Sequence, residues 1–149
     1  ELWGSWTPHK LKLAVSGCPR NCAEATCKDI GVICVDSGYQ VSIGGAAGMD
    51  LKETELLLQV ATEQEAIDVI KAVTQLYREN ARYLDRIYKW MGKVGLDWIK
   101  ERVETEREAL VERFEISQSI YRKDPWAEHA QTKADRYQPL ANLALEAAE

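Results

Sequence analysis

The chain reads as an α+β protein: a small mixed or antiparallel sheet carrying a short cysteine-bearing helix, followed by a C-terminal helical segment. Three observations predict this. Apolar residues alternate with period two up to about Ala61, they recur at spacings of three, four and seven from Thr62 onward, and a compact Gly-Cys-Pro corner separates the first two alternating runs. Length and composition agree, since 149 residues at 46% hydrophobic can bury one core and do not demand two.

The run "KLKLAVS" (10–16) sets Leu11, Leu13 and Val15 on one face and Lys10, Lys12 and Ala14 on the other, the mark of a half-buried strand. "DIGVICVD" (29–36), "YQVSIGG" (39–45) and "ETELLLQVA" (53–61) have the same character, with Asp36-Ser37-Gly38 as a hairpin turn. The stretch from Pro19 to about Cys27 contains Ala and Glu, with Lys28 just beyond, and is expected to form a helix of about two turns. The predicted order is therefore strand, helix, strand, strand, strand.

Thr62 and Glu65 form a capping box, and Ala66, Ile70, Val73, Tyr77, Leu84 and Tyr88 fall on one face of a long helix expected to end near Gly92. A shorter helix follows Gly95 with Leu96, Ile99 and Val103 inward. Thr105 and Glu108 offer a second capping box, for a third helix that runs to about Arg122 and is stopped by Asp124-Pro125-Trp126. Residues 127–149 have weak periodicity and are expected to lie along the surface or fray. Trp90, Trp98 and Trp126 stand at helix ends or turns, where an indole covers a seam, and His129 takes no role.

A net charge of −5 and a pI near 5.2 offer no general attraction to nucleic acid or to an anionic membrane. No apolar run approaches the ~20 residues of a spanning helix, and "ELWGSWTPHK" lacks the layout of a secretory signal. The expectation is a cytoplasmic protein with no nucleic-acid or membrane partner, its cysteines reduced or metal-bound.

If Pro19 begins the short helix, Cys18 is its N-cap and Cys22 lies one turn further on. Both sulfurs then share one side, at the positive end of a helix dipole that favours thiolate. Such a site suits a bound anion or a metal–sulfur centre; two structural thiols are the other reading of the same spacing. Cys18, Cys22, Cys27 and Cys34 are not expected to close a cluster by themselves. On a continued helix Cys27 faces away from the other two, and Cys34 lies in a strand among Val32, Ile33 and Val35. The spacing matches no zinc knuckle.

"HKLKLAVSGCPRNCAEATCKDIGVICVD" resembles the second iron–sulfur segment of the sirohaem-dependent nitrite and sulfite reductases. "CAEATCKDIG" leans to the large subunit of the assimilatory NAD(P)H-dependent nitrite reductases. "QLYRENARYLDRIYKWMGKVGLDWIKERV" and "ALVERFEISQSIYRKDPWAEHA" are similar to that subunit's C-terminal end, so the likeness covers about residues 8–130.

The resemblance implies a sirohaem and a [4Fe–4S] cluster coupled through a shared sulfur, with Cys18 and Cys22 as the second ligand pair and Cys22 bridging to the sirohaem iron. It implies a sirohaem and cluster half-domain over 8–92, a helical extension over 93–126 and the tail over 127–149. It implies six-electron reduction of nitrite to ammonium in a longer parent subunit, with sulfite as the alternative substrate. The first ligand pair, the catalytic groups and the FAD and NAD(P)H domains are expected upstream of Glu1, with a small nitrite reductase subunit as a possible partner. The chain by itself is expected to be inactive and to retain neither centre.

Sirohaem carries many carboxylates, which makes His9, Lys10 and Lys12 candidates to meet them; a solvated strand face is the other reading of the lysines. Arg20 and Asn21 are candidates for hydrogen bonds to sulfide or carboxylate. Gly44 and Gly45 are candidates for close backbone approach to a large cofactor, although Ala46, Ala47 and Asp50 depart from the family's glycine-rich stretch. The competing function class is a non-catalytic α+β docking module with structural cysteines.

Overall fold

The alternating runs form β1 (Leu13–Ser16), β2 (Ile30–Val35), β3 (Gly38–Ile43) and β6 (Glu55–Val60), and two short pieces add β4 (Ala46–Ala47) and β5 (Leu51–Lys52), in a computed structural model that describes residue 2 and residues 5–121. The expected stop at Asp124-Pro125-Trp126 and the tail over 127–149 lie outside the described residues. The main sheet has the order β1-β2-β3-β6, with β1 and β2 parallel and the other neighbours antiparallel, so it is of the mixed kind. Val35 pairs with Gly38, which leaves Asp36-Ser37 as a two-residue hairpin loop.

Register explains the core. Ile30 pairs with Ile43 and Val32 with Val41, so all four share one face, and all four are buried. A register shift between Val41 and Ser42 then lets the successive residues Leu57 and Leu58 both turn inward. The small β4–β5 hairpin, which the sequence does not announce, leaves Met49 and Leu51 exposed.

The first helix is α1 (Glu63–Asn80), and its start is the predicted one. The Thr62 hydroxyl accepts from the Glu65 N–H at 3.2 Å, while the Glu65 carboxylate accepts the Thr62 N–H at 2.9 Å. These donors hold the Glu65 carboxyl below its usual range. Val69, Ile70, Val73, Leu76 and Tyr77 of α1 pack on the sheet's apolar face.

The long helix expected to reach Gly92 ends instead at Asn80, and α2 (Ile87–Val94) starts afresh. Leu84 and Tyr88 are therefore not on the α1 stripe. No Gly or Pro marks the break; partners far away in the sequence make it. The Leu84 N–H donates to the Pro8 carbonyl at 2.9 Å, and Leu84 sits at a left-handed φ of 72°. The Tyr77 hydroxyl donates to the Asp85 carbonyl, and the Arg86 Nη2 lies 2.7 Å from the Asp29 carboxylate.

After Gly95 come α3 (Leu96–Thr105) and α4 (Arg107–Tyr121). Ile99 and Val103 point inward as their spacing requires, and Leu110 joins them in the same core. The second capping box does not form: the Thr105 hydroxyl donates back to the Glu101 carbonyl at 2.8 Å, so Thr105 closes α3 and does not open α4. Trp90 does not cover a seam; it is buried and meets the Tyr77 ring at 5.5 Å between centroids.

Two predictions come from this core. Asp29 is wholly buried and Arg86 half-buried, and removing one partner of such an ion pair leaves the other charge uncompensated. Asp29→Asn is expected to lower unfolding free energy by about 3 kcal/mol in urea denaturation, while a surface control such as Asp68→Asn changes it by less than about 0.5 kcal/mol.

The second concerns alkaline pH. Burial, with the Asp29 carboxylate adding to it, pushes the Tyr77 hydroxyl up to about 12 from an ordinary 10.0. The folded state keeps this proton where the unfolded state releases it, so stability is full below 10.0 and falls as pH rises towards about 12. Tyr77→Phe is expected to lose about 1 kcal/mol at neutral pH with the Asp85 bond, and to lose less than the parent between about pH 9 and pH 11. Urea midpoints at both pH values measure the difference.

Candidate functional site

β1 ends at Ser16, whose hydroxyl donates to the Cys18 carbonyl at 3.1 Å, and the chain then turns sharply twice. The Asn21 N–H donates to the Cys18 carbonyl at 3.2 Å, and the Glu24 N–H to the Asn21 carbonyl at 2.9 Å. The expected two-turn helix from Pro19 is absent; one 3₁₀ turn, Ala25–Cys27, is all that forms. Asn21 and Glu24 adopt left-handed φ values of 53° and 54°, which a right-handed helix does not contain. The placement of Cys18 at a helix N-cap, and the dipole argument built on it, are corrected accordingly.

Asn21 explains the choice of turn over helix. Its Oδ1 accepts the Ala25 N–H at 2.7 Å and its Nδ2 donates to the Thr26 hydroxyl at 2.8 Å, so the side chain braces its own loop. Arg20 is exposed between the two cysteines. Cys18 and Cys22 are free thiols, both exposed, and neither sulfur makes a hydrogen bond among the described residues. Accessible sulfurs on a backbone that holds its shape without them fit the role of ligands to an external metal centre.

The corner is seated firmly on the sheet. A Cβ at Gly31 of β2 would stand 2.2 Å from the Ala25 carbonyl oxygen, so only glycine lets the 3₁₀ turn lie against the strand. The Thr54 N–H donates to the Thr26 carbonyl at 2.8 Å on the other side. Gly45 faces Lys28 in the same manner, with 2.4 Å to its carbonyl oxygen, and a Cβ at Gly44 would meet the Met91 methyl at 2.4 Å. The chain's own packing thus accounts for the smallness of Gly44 and Gly45.

Cys27 is half-buried, with its sulfur 3.6 Å from the Lys28 ammonium, and Cys34 is half-buried in β2 opposite Tyr39. Among the described residues no three His, Cys, Asp or Glu side chains stand close enough to hold a metal ion. The four cysteines do not gather.

His9, Lys10 and Lys12 do come together. With Arg86, Tyr88 and the loop 46–50 they line a cavity of about 260 Å³. Lys10 and Lys12 precede β1, and the Lys12 N–H donates to Asp29 at 2.9 Å. Sequence reasoning missed Arg86 and Tyr88, which a continuous helix would have carried away from this cavity. A larger concavity of about 600 Å³ at the α3–α4 junction is an open groove lined by Glu104, Thr105, Glu106, Arg107 and their neighbours, and holds no nucleophile or ligand cluster.

The family described as "Nitrite and sulphite reductase 4Fe-4S domain" matches residues 1–110. A "Nitrite reductase [NAD(P)H]" of Bacillus subtilis is 40% identical over 139 residues, 92% of this chain and 17% of that protein. A "Nitrite reductase [NAD(P)H] large subunit" of Klebsiella oxytoca is 35% identical over 75% of this chain and 12% of its own length. An assimilatory-type sulfite reductase of Nitratidesulfovibrio vulgaris is 29% identical over 69% of this chain and 47% of that protein. The chain spans less than half the length of each of these relatives.

Proposed function

Because the chain belongs to the nitrite and sulphite reductase 4Fe–4S family, we propose that Cys18 and Cys22 form the second thiolate pair of a [4Fe–4S] cluster in a sirohaem-dependent nitrite reductase. The observation that carries this reading is the braced corner with two exposed, unengaged thiols. A [4Fe–4S] cluster takes four such ligands, so the other pair comes from a different segment of the parent subunit. Of the two, Cys22 would hold the sirohaem as well as the cluster. When bound, the coupled centre delivers the electrons for reduction of nitrite to ammonium.

The chain's own residues hold and orient. Arg20 lies at the tip of the corner, where its guanidinium reaches sulfide or a cofactor carboxylate, while Asn21 keeps the two thiols at fixed separation from within the loop. His9, Lys10 and Lys12 offer cationic and polar groups to the carboxylates of sirohaem. Gly44 and Gly45 contribute by letting the chain fold closely beside them, which sets the loop 46–50 over the cavity. FAD, NAD(P)H and the catalytic groups belong to the rest of the subunit, and a small subunit is the partner of the whole. No helix among the described residues is long and apolar enough to cross a membrane, in keeping with the cytoplasmic location we assign.

Sulfite is the second reading of the substrate, supported by the assimilatory-type sulfite reductase relative. Steady-state turnover of the complete subunit with each anion separates them; kcat/KM for nitrite is expected to exceed that for sulfite.

Two sets of substitutions in the complete subunit test the ligand assignment. Cys27→Ala and Cys34→Ala are expected to leave bound iron and sulfide unchanged, each at a cost of about 1 kcal/mol in stability. Loss of iron on either change would show a ligand outside the proposed pair.

Cys18→Ser and Cys22→Ser are expected to differ in kind. A hydroxyl binds iron poorly, since its anion forms far less readily than thiolate and its oxygen is harder. Cys18→Ser should damage the cluster while part of the sirohaem remains, whereas Cys22→Ser should abolish the cluster and the magnetic coupling together. Iron analysis paired with electron paramagnetic resonance reads both outcomes, and a coupled, active Cys22→Ser enzyme would refute the bridging role.

A further inference from the structure

We propose that the groove between residues 5–10 and the α1–α2 connection is an intramolecular docking site, and that its occupant is Trp126, from the segment that follows α4. No residue of the cysteine corner lines this groove, so the ligand assignment does not enter.

The surface itself calls for a cover. Trp6, Pro8, Lys10, Tyr83 and Leu84 line a cavity of about 420 Å³, the size of a small-ligand pocket. Three of them are large apolar side chains left open, Trp6 at 50% exposure, Tyr83 at 75% and Leu84 at 61%. Single exposed apolar residues are ordinary, but a contiguous group of them marks an interaction surface. The two walls are tied together by the Leu84 N–H, which donates to the Pro8 carbonyl at 2.9 Å, so the groove is present before anything fills it.

Leu84 carries a second sign. Its φ of 72° is left-handed, a conformation that glycine or asparagine enters at lower cost. A leucine there costs about 1 kcal/mol of backbone strain and, with its side chain in water, recovers none of it by burial. Covering that side chain supplies the missing return.

Reach and charge identify the occupant. The C-terminal end of α4 lies at the groove, because the Gln118 Nε2 donates to the hydroxyl of Ser5, itself part of the lining, from a side chain that is 1% exposed. Tyr121 ends α4 three residues later, about 4.5 Å further along the axis. Trp126 follows after five more residues, and five residues span up to about 17 Å, so its indole is within reach of Trp6 and Tyr83. The groove offers the Lys10 ammonium and no acid, while Asp124 and Glu128 stand two places to either side of Trp126. An aromatic anchor flanked by carboxylates thus matches an aromatic groove rimmed by a cation. A tethered segment also acts at an effective concentration of order millimolar, which favours it over a second copy of the chain. The family match ends at residue 110, so this contact would be a feature of the chain outside the family's shared part.

The full chain labelled with 5-fluorotryptophan tests the site by fluorine magnetic resonance. Trp126→Phe assigns the Trp126 signal, Trp6→Phe assigns that of Trp6, and a soluble gadolinium chelate reports which indoles are open to water. The Trp126 signal is expected to be shielded from the chelate, and the Trp6 signal to shift when Trp126 is changed to Ala. Tyr83→Ala and Leu84→Ala, both at exposed positions and checked for fold by circular dichroism, are expected to open Trp126 to the chelate. Tyr83→Phe keeps the ring and should leave it shielded. Urea unfolding supplies a second readout. Tyr83→Ala and Trp126→Ala are each expected to lower the folding constant about fivefold, and the double variant no further than either alone.

A Trp126 signal as accessible as free 5-fluorotryptophan would overturn the proposal. So would shielding that survives both Tyr83→Ala and Leu84→Ala, or losses in the two single variants that simply add. Shielding that fades on dilution, together with a dimer in sedimentation, would assign the groove to a second copy and likewise overturn it.

Discussion

Asp29 is a carboxylate with 0% exposure, and the placement of every segment around the site depends on how its charge is satisfied. Isolated in a protein interior, such a charge costs several kcal/mol, so it dictates where its partners stand. The Lys12 N–H and the Arg86 guanidinium take the carboxylate oxygens, and the Gly44 N–H takes the backbone carbonyl of the same residue at 2.9 Å. One residue therefore joins the segment before β1, the start of β2, the end of β3 and the start of α2. Hydrophobic burial drives the collapse, but it is non-directional. The directional bonds of Asp29 select which collapsed arrangement is kept.

The interruption between α1 and α2 follows from that demand. Had the helix continued past Asn80, Arg86 would have been carried along its axis and away from the carboxylate. Breaking it frees backbone groups, of which the Leu84 N–H finds the Pro8 carbonyl and the Asp85 N–H the Arg82 carbonyl. The left-handed Leu84 costs of order 1 kcal/mol, well below the cost of leaving Asp29 unpaired. Larger energies at Asp29 thus override the helical preference of the local sequence.

This hierarchy explains what could be read in the sequence. The alternation of β2 and β3, the Thr62–Glu65 capping box and the inward set Ile99 and Val103 are local signals that the structure contains, whereas the alternation expected over 10–16 fails in part, since β1 begins only at Leu13 and Val15 is exposed. The α1 end point was hidden because its causes, Pro8 and Asp29, lie far back in the chain. The corner after Cys18 was misread for a different reason. Pro19, Ala23 and Glu24 are compatible with a helix start, but the Asn21 amide offers the Ala25 N–H a nearer acceptor, and a side chain competing with its own backbone leaves no periodic trace. His9, Lys10 and Lys12 were legible as a basic cluster, whereas Arg86 and Tyr88 joined it only through the tertiary break.

The absence of a helix at the cysteines changes how they are suited to bind metal. A helix end would have contributed a dipole field and left the two sulfurs one turn apart on a segment anchored along one side. The turns instead fix the corner from several directions: Ser16 and Asn21 on the Cys18 carbonyl, Asn21 on Ala25 and Thr26, and Gly31 and Thr54 beneath. Thiols held in this way, in the ligand role we propose for them, would surrender little backbone freedom on binding, and freedom already lost in folding does not weaken binding. The same short stretch, from Ala25 to Asp29, then passes directly to the residue that organises the basic cavity. The corner and the cavity are thereby two faces of one rigid connection, set at a fixed spacing, which is the condition for one large cofactor to engage both.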